Sequence, residues 1–207
     1  DNENGTKLFE ILMPRFGLGV WQMDDNECKS SILHALHNGY RLIDTATAYG
    51  NENAVGEAIR SSKIPRDEIF VVTKLRRVHA TGFDETISQC RESLQRLGLD
   101  YVDLYLVHAP PKNISVRGDV WEAMEACLKL GLARSIGVSN YGIDHLKDMK
   151  EYATILPSVN QIEVHPWLQR LDLRQANEEI GAITMGYSPL ARGLRVTDPA
   201  LVSIAQS

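Results

Sequence analysis

Four side chains that can donate, accept or stabilise protons lie at or just after the ends of apolar runs. Asp44 ends one such run, and Tyr49 follows it by five residues, just before a helix start predicted at Asn51. Lys74 and His108 end the next two apolar runs. Because parallel strands bring their carboxyl ends to one edge of a sheet, a carboxylate, a phenol, an ammonium and an imidazole are predicted to meet there.

This combination suits proton donation to a carbonyl oxygen. A phenol has a pKa near ~10, so Tyr49 can protonate an oxygen at neutral pH only if its phenolate is stabilised. We expect the Lys74 ammonium to lower the pKa of Tyr49, and Asp44 to keep Lys74 charged and oriented. His108 would add a second hydrogen bond to a developing oxyanion. The alternative is a buried Asp–Lys ion pair beneath a tyrosine that only packs.

The composition is that of a globular protein that acts on small molecules. Of the 207 residues 43% are hydrophobic and 24% charged, which is enough for a full core. The net charge of −5 and the lack of a basic run longer than Arg76–Arg77 argue against nucleic acids and anionic membranes as partners. No apolar stretch is long enough to span a bilayer, and the polar start is not typical of a signal peptide. We therefore expect a cytoplasmic monomer.

Neither a disulfide framework nor a metal site is indicated. The three cysteines, Cys28, Cys90 and Cys127, are odd in number and widely spaced. His108 and His165 lack a carboxylate cluster at ligand spacing, which disfavours metal-assisted hydrolysis. No serine lies in a nucleophile elbow, which disfavours acyl transfer.

Short runs of strand type recur at roughly the interval of a βα unit. The seven runs are Phe16–Trp21, Tyr40–Asp44, Ile69–Lys74, Asp103–His108, Arg134–Ser139, Val159–Glu163 and Ile183–Tyr187. A further piece, Lys7–Ile11, is predicted to form a hairpin or an edge strand. Apolar runs that alternate with helical spacers indicate a parallel sheet covered by helices.

Amphipathic helices are predicted in the spacers, among them Thr86–Leu97 and Val120–Leu130, each with an apolar stripe and a glycine at its end. Asp25 or Asn26 is predicted to cap the first helix, and Asn51 the second. Nothing in the composition divides the chain into separate domains.

Two architectures fit repeated βα units, an open doubly wound sheet and a (β/α)8 barrel. An open sheet usually carries a glycine fingerprint after its first strand, but here Gly17 and Gly19 lie within the strand and Trp21 stands where the helix should begin. The barrel is favoured, because it brings the polar residues at the strand ends to the carboxyl face, where barrel enzymes have their active sites. These residues are Trp21, Asp44, Lys74, His108, Ser139, Asn140, Gln161 and Tyr187.

In a set of motifs that recur in the same order and spacing over nearly its whole length, the chain resembles the aldo-keto reductases. The motifs are LIDTATAYGNE, VTKL, LDYVDLYLVH, IGVSN, NQIEVHP and YSPLARG. The resemblance implies an oxidoreductase that reduces aldehydes or ketones to alcohols. The hydride would come from NADPH, with NADH as the alternative.

The resemblance also implies a role for each matching residue. Tyr49 would be the proton donor, and Asp44, Lys74 and His108 the rest of a catalytic tetrad. The cofactor and substrate residues would be Ser139, Asn140 and Gln161 for the nicotinamide carboxamide, Tyr187 for stacking, Ser188 and Leu190 for the pyrophosphate, and Trp21 for the substrate pocket. Amides offer paired donors and acceptors, and a tyrosine face stacks on a flat heterocycle, so residue chemistry agrees. Each residue also has an alternative role without a cofactor. Ser139 and Asn140 could cap a helix, Gln161 could be a buried strand amide, and Tyr187 could be part of ordinary barrel packing.

Two departures from the family pattern affect these expectations. Ala109 and Arg76 stand where many members have tryptophan, so the pocket is expected to be wider and more polar. The sequence reaches Ser207 without a counterpart of the family's eighth strand and helix. We therefore expect one barrel domain over residues 1–207 that is incomplete at its carboxyl end, and about 60–100 further residues in the whole polypeptide.

An intact tetrad favours an enzyme over two other roles. The first is a regulatory subunit that keeps the cofactor, as the potassium-channel beta subunits do. The second is a structural protein, as some lens crystallins of this family are. We predict an enzyme, with binding or structural function as the alternative.

Overall fold

The computed structural model describes residues 12–207, in which parallel strands and helices alternate along the chain. The strands are β1 (Leu18–Gly19), β2 (Leu42–Asp44), β3 (Phe70–Leu75), β4 (Leu104–Val107), β5 (Ile136–Ser139), β6 (Val159–Glu163) and β7 (Ile183–Tyr187). The helices are α1 (Asp25–His37), α2 (Glu52–Ser62), α3 (Phe83–Leu97), α4 (Arg117–Lys129), α5 (Ile143–Tyr152), α6 (Leu171–Glu179) and α7 (Pro199–Gln206). The predicted element at Lys7–Ile11 lies outside the described residues.

All seven strands pair in parallel with their sequence neighbours, so the sheet order is β1 to β7. Because each strand is followed by a helix on the outer side, the sheet curls into a nearly closed barrel. The predicted α/β barrel with seven βα units is confirmed. Among the described residues, β1 pairs only with β2 and β7 only with β6, so a seam lies between these two strands.

Alternation along the strands separates an inner core from an outer one. Leu42, Val72 and Leu106 belong to the cluster inside the barrel. Ile43 and Tyr105, one position away from such residues, belong to the cluster between the sheet and the helices. Since side chains alternate with a period of two, a polar residue two positions after an inward apolar residue also points into the barrel, near its carboxyl end.

The first strand is the least accurate of the predicted strands. The sequence predicted Phe16–Trp21, but only Leu18 and Gly19 pair, with Ile43 and Asp44. Phe16 and Trp21 are exposed and do not continue the ladder. The predicted β6 and β7 are correct at both ends, and β2 to β5 differ by one or two residues at one or both ends.

Two predicted helix caps are wrong. The cap of α1 is Asp24, whose carboxylate accepts hydrogen bonds from the backbone amides of Asn26 and Glu27, each at 2.9 Å. Asn51 precedes α2, but its side chain makes no cap hydrogen bond. Its Nδ2 instead donates to the carbonyl oxygens of Val20 and Met23, at 2.8 and 3.2 Å. Asn51 therefore fastens the loop after β1 to the start of α2.

The two helices for which the sequence analysis gives bounds are confirmed with shifted ends. The helix predicted at Thr86–Leu97 begins at Phe83, and Gly98 ends it with φ of 63°. The helix predicted at Val120–Leu130 is Arg117–Lys129. No helix in residues 12–207 has the length and apolar character needed to cross a membrane.

Candidate active site

The barrel alternation brings the predicted acid–base residues into one cavity. Asp44 follows Leu42, Lys74 follows Val72 and His108 follows Leu106, each by two residues, and all three of these apolar residues are inside the barrel. The cavity has a volume of about 1020 Å³ and reaches from the carboxyl ends of the strands to Leu42 and Ile183, the first residues of β2 and β7. Asp44, Tyr49 and His108 line it, whereas Lys74 lies behind them with 0% of its surface exposed.

Asp44 and Lys74 form a buried ion pair. The Lys74 ammonium donates to both Asp44 carboxylate oxygens at 2.8 Å and to the Thr45 carbonyl oxygen at 2.8 Å. Asp44 is only 8% exposed. A buried charge is tolerated when it is paired and hydrogen-bonded, and here the ammonium has several partners. The predicted pairing of Asp44 with Lys74 is confirmed.

Tyr49 reaches the same ammonium from the other side. It ends a short 3-10 turn, Thr47–Tyr49, that follows β2. Lys74 Nζ lies 3.3 Å from the Tyr49 hydroxyl oxygen and donates to it. Because the phenol oxygen accepts this hydrogen bond, its own proton is left for another acceptor in the cavity.

The expectation that Tyr49 has a lowered pKa is wrong for the cavity as it stands. Burial raises the pKa of Tyr49 above its ordinary value, and Asp44 adds to the rise. The Lys74 ammonium acts in the predicted direction, lowering the pKa, but it does not outweigh the loss of solvent around the phenolate. Tyr49 is therefore a protonated phenol at neutral pH.

His108 faces the Tyr49 ring edge to face, with 5.6 Å between ring centres. Burial, together with the Lys74 charge and against an opposing effect of Asp44, lowers the pKa of His108 to about 4. At neutral pH the imidazole is thus uncharged and carries a single N–H. It can donate one hydrogen bond to an oxygen beside Tyr49 without adding a positive charge.

Three predicted carboxamide-binding residues lie together on β5, β6 and the loop after β5. Gln161 Nε2 donates to Asp44 at 3.1 Å, which connects this group to the ion pair. Asn140 has φ of 60°, a left-handed conformation that asparagine tolerates better than most residues. Its Nδ2 donates to the His108 carbonyl oxygen at 2.9 Å and to Ser139 Oγ at 3.1 Å. All three line the cavity.

Tyr187 and Ser188 also line the cavity, at the end of β7. The Tyr187 hydroxyl donates to Asn140 Oδ1 at 2.9 Å, so β7 and the loop after β5 are linked across β6. Leu190 is different, because it is 74% exposed and is not among the cavity-lining residues. The structure thus brings together every predicted cofactor residue except Leu190.

Trp21 lines the cavity as predicted, on the loop after β1. The Arg192 guanidinium lies over its ring, 5.0 Å from the centre, so the loops after β1 and β7 meet across the seam. Arg192 itself lines the cavity and was not singled out from the sequence. Its only sequence signal is a cation within the YSPLARG motif. A cation on an aromatic face contributes about 0.5–1 kcal/mol at an exposed site.

A second group that sequence reasoning missed lies behind the carboxamide residues. Asn160 is buried on β6 and donates from Nδ2 to the Tyr141 carbonyl oxygen at 3.0 Å and to Asn177 Oδ1 at 2.9 Å. Asn177 in turn donates to Thr184 Oγ1 at 2.8 Å. These side chains connect the loop after β5 with β6, α6 and β7. No cluster of three or more His, Cys, Asp or Glu side chains at metal-binding distance occurs within residues 12–207.

A parallel-strand barrel with an Asp–Lys–Tyr–His group at its carboxyl face is typical of enzymes that move protons at a carbonyl. Residues 13–199 match the model of the aldo/keto reductase family. An aldo-keto reductase of Mycolicibacterium vanbaalenii is 49% identical over 195 residues, which are 94% of this chain and 70% of that protein. The chain belongs to the aldo/keto reductase family, a family of oxidoreductases.

Solved structures agree with this assignment. An aldo/keto reductase from Brucella melitensis superposes with a TM-score of 0.88 at 42% identity, covering 94% of this chain and 74% of that one. A Bombyx mori aldo-keto reductase in complex with NADP superposes with a TM-score of 0.85 at 35% identity, covering 94% and 72%. The seven-stranded barrel therefore corresponds to most of the (β/α)8 fold of the family.

Proposed function

We propose that this protein reduces aldehydes or ketones to alcohols, with NADPH as hydride donor and Tyr49 as proton donor. The observation that carries the proposal is the position of the buried Lys74 ammonium, 2.8 Å from Asp44 and 3.3 Å from the Tyr49 hydroxyl. A structural ion pair needs no phenol on its open side. A proton donor does need a neighbouring cation, which stabilises the phenolate left after transfer.

In the proposed mechanism, the carbonyl oxygen of the substrate lies between Tyr49 and His108. Tyr49 gives its proton to that oxygen, and Lys74 stabilises the resulting phenolate through the hydrogen bond it already makes. The neutral His108 donates a second hydrogen bond to the same oxygen, which stabilises negative charge as it develops. NADPH, when bound, supplies the hydride to the carbonyl carbon.

The described residues fit a dinucleotide. Most of the residues proposed to bind it line the same cavity as Tyr49 and His108. We propose that Ser139, Asn140 and Gln161 bind the nicotinamide carboxamide and that Tyr187 stacks on its ring. Ser188 and Leu190 would contact the pyrophosphate, Leu190 through its backbone, since its side chain points to solvent. The NADP complex of the Bombyx mori relative supports NADPH, with NADH as the alternative.

We also propose a substrate class, an oligomeric state and a location for the protein. We propose a small-molecule carbonyl substrate whose pocket includes Trp21. We further propose that the protein acts as a monomer in the cytoplasm, and that residues 1–207 belong to a single barrel domain.

The test is the replacement Tyr49→Phe, which removes the proposed proton donor but keeps the ring. Turnover with simple aldehydes should fall about 10²- to 10⁴-fold, the usual contribution of a general acid. The NADPH dissociation constant should stay unchanged, because the hydroxyl faces the carbonyl oxygen. NADPH oxidation and fluorescence titration measure the two effects separately.

Near-normal turnover in Tyr49→Phe would show that Tyr49 is not the proton donor. If the unaltered protein binds NADPH tightly but oxidises it with no aldehyde or ketone of a broad panel, a regulatory or structural role would replace the enzymatic one.

A further inference from the structure

A second ion pair, in which a buried carboxylate meets a half-buried arginine, lies on the outer side of β3, the strand that carries Lys74. Glu52, the first residue of α2, is 2% exposed. Its Oε2 accepts a hydrogen bond from Arg96 Nε of α3 at 2.7 Å, and its Oε1 accepts one from Thr73 Oγ1 at 2.6 Å. Burying the Glu52 carboxylate costs free energy that its partners must offset, so such a pair is often no more stabilising than apolar packing of the same volume. Stability alone therefore gives little reason for its presence.

One branch of the network leads to Lys74. Thr73 and Lys74 are adjacent on β3, so their side chains project to opposite faces of the strand. Glu52 holds the outer face through Thr73, while Asp44 holds the inner face through Lys74. The position of β3 at this point is fixed from both sides.

The other branch leads to Tyr49. Arg96 donates from its terminal guanidinium nitrogen to Ser93 Oγ at 3.1 Å, and Ser93 Oγ lies 3.0 Å from Thr47 Oγ1. Thr47 begins the 3-10 turn that ends at Tyr49. Within the turn, the Tyr49 amide donates to the Ala46 carbonyl oxygen at 2.9 Å.

Other hydrogen bonds hold the residues on either side of the turn: Lys74 donates to the Thr45 carbonyl oxygen at 2.8 Å, and Thr45 Oγ1 donates to Asn51 Oδ1 at 2.9 Å. Gly50 follows the turn with φ of 77°, and a single 3-10 turn has weak hydrogen-bond geometry.

Helices α2 and α3 pack closely against each other. A Cβ on Gly56 of α2 would overlap the Leu97 carbonyl of α3. The network thus connects Thr47, the first residue of the turn, to the closely packed pair of helices.

We propose that Glu52 and Arg96 are positioning residues that hold the Tyr49 hydroxyl at its distance from Lys74, through Thr73 on one side and through Ser93 and Thr47 on the other. The catalytic consequence rests on the proposed role of Tyr49. Proton transfer requires oxygen atoms within about 2.6–3.2 Å of each other, and a misplacement of about 1 Å can cost 10²-fold in rate. A small movement of the turn would therefore slow the chemical step.

The first experiment removes one hydroxyl from the network. In Thr47→Val, single-turnover NADPH oxidation with a saturating aldehyde should slow about 10-fold, with an unchanged NADPH dissociation constant. Thr47→Ser keeps the hydroxyl and should restore the rate to within about 2-fold of the original. Ser88→Ala is the matched control, since Ser88 is an exposed serine on the same helix as Ser93.

The proposal is overturned if Thr47→Val reacts as fast as Ser88→Ala. It is also overturned if Thr47→Val and Thr47→Ser are equally slow, because a variant that keeps the hydroxyl would then be as impaired as one that lacks it. Tyr49→Phe, measured alongside, distinguishes these outcomes from a failure of the proposed function. If Tyr49→Phe keeps its rate, Tyr49 is not the donor, and only the second experiment bears on the network.

The second experiment needs no turnover. Amide hydrogen exchange of the segment 46–50 should be faster in Thr47→Val and in Glu52→Gln than in Ser88→Ala, because opening of the turn becomes easier when its connection to α3 is lost. Exchange at the same rate as in the control, in both variants, would overturn the proposal whatever Tyr49 does in catalysis.

Discussion

Lys74 determines the charge balance around Tyr49. It is the largest influence that lowers the pKa of Tyr49, against burial and Asp44, which both raise it. Replacing Lys74 with methionine should therefore raise the pKa of Tyr49 further. In the proposed mechanism, alcohol oxidation uses the Tyr49 phenolate as base, so it should require a higher pH in Lys74→Met. Reduction uses the protonated phenol in the same mechanism, and it should fall about 10²- to 10⁴-fold because the phenolate left behind is no longer stabilised.

The measurement is a pair of pH–rate profiles, one for each direction. Lys74→Arg is the control, since it keeps a positive charge at this position. A profile in Lys74→Met that matches the original in shape and differs only in scale would contradict the electrostatic role of Lys74. NADPH titration of both variants checks that the site still folds, because removing Lys74 leaves Asp44 unpaired.

The lowered pKa of His108 should make the free energy of unfolding depend on pH in the acid range. Burial lowers the pKa of His108 to about 4 in the folded protein, whereas an unfolded histidine has a pKa near 6.5. Between these pH values the unfolded chain binds the proton and the folded protein does not. The stabilising contribution of His108 is therefore complete above about pH 6.5 and is lost as the pH falls toward about 4.

In His108→Gln this acid-side loss should be smaller, by about 1–2 kcal/mol after allowance for the partial exposure of the ring. Urea unfolding at a series of pH values from 7 down to 4 measures it. His34→Gln, which replaces an exposed histidine of α1, is the control. Identical slopes for His108→Gln and the original protein would show that His108 is charged or solvated in the folded state.

At the scale of elements, β6 carries two neighbouring amides with different tasks. Gln161 points into the cavity, whereas Asn160 points outward and connects the loop after β5 to α6 and β7. Asn160→Ala should lower the free energy of unfolding by about 1–3 kcal/mol, because it leaves buried partners unsatisfied. It should also weaken NADPH binding, since the Tyr141 carbonyl held by Asn160 is next to Asn140.

Thermal unfolding and NADPH titration test the two effects, with the exposed Asn53→Ala on α2 as control. A loss of stability without any change in NADPH affinity would mean that Asn160 supports the fold but not the site.

The strands and the inward-facing site residues could be predicted because each follows from a local pattern. Apolar runs of strand type mark the strands, and the polar residue at the end of each run marks the site. Asn160 and Glu52 could not be found in this way. Their partners are 17 and 44 residues away along the chain, in Asn177 and Arg96, and no short-range pattern encodes such a pair.

The prediction that Asn51 caps α2 was wrong for a related reason. An asparagine before a helix is a good cap candidate by local rules. The side chain of Asn51 instead donates hydrogen bonds to the carbonyl oxygens of Val20 and Met23, which are far from it in the sequence. The pKa of Tyr49 was mispredicted because burial, a property of the whole barrel, exceeded the effect of one nearby charge. A local sequence pattern therefore predicts where a residue lies, whereas the hydrogen-bond partners and the pKa of its side chain depend on the folded molecule.

At the scale of the whole molecule, the seam between β1 and β7 runs alongside the cavity. Gly19 of β1 and Tyr187 of β7 both line the cavity, although their strands are not paired with each other among residues 12–207. Across the seam, the Arg192–Trp21 contact connects the loops that follow these strands. A ligand in the cavity would touch both sides of the seam. Cofactor binding should therefore stabilise the molecule as a whole.

A bound ligand stabilises the folded state by mass action, by about 2.7 kcal/mol at 100 times its dissociation constant. For a protein of this size that corresponds to a rise of about 5–10 °C in the melting temperature. NADPH should produce this rise, and the same measurement with NADH shows which dinucleotide is preferred. Tyr49→Phe should keep the shift. Tyr187→Ala should lose about 1–3 kcal/mol of the stabilisation, the range for stacking on an aromatic ring.

Tyr40→Ala is the control for the tyrosine replacement, because Tyr40 is exposed and lies outside the cavity lining. An undiminished shift in Tyr187→Ala would make Tyr187 a packing residue whose hydroxyl only orients Asn140. If neither dinucleotide shifts the melting temperature at millimolar concentration, the proposed cofactor is wrong for this chain. A shift that survives in Tyr187→Ala but disappears in Asn160→Ala would instead assign the affinity to the backbone around Asn140 rather than to stacking.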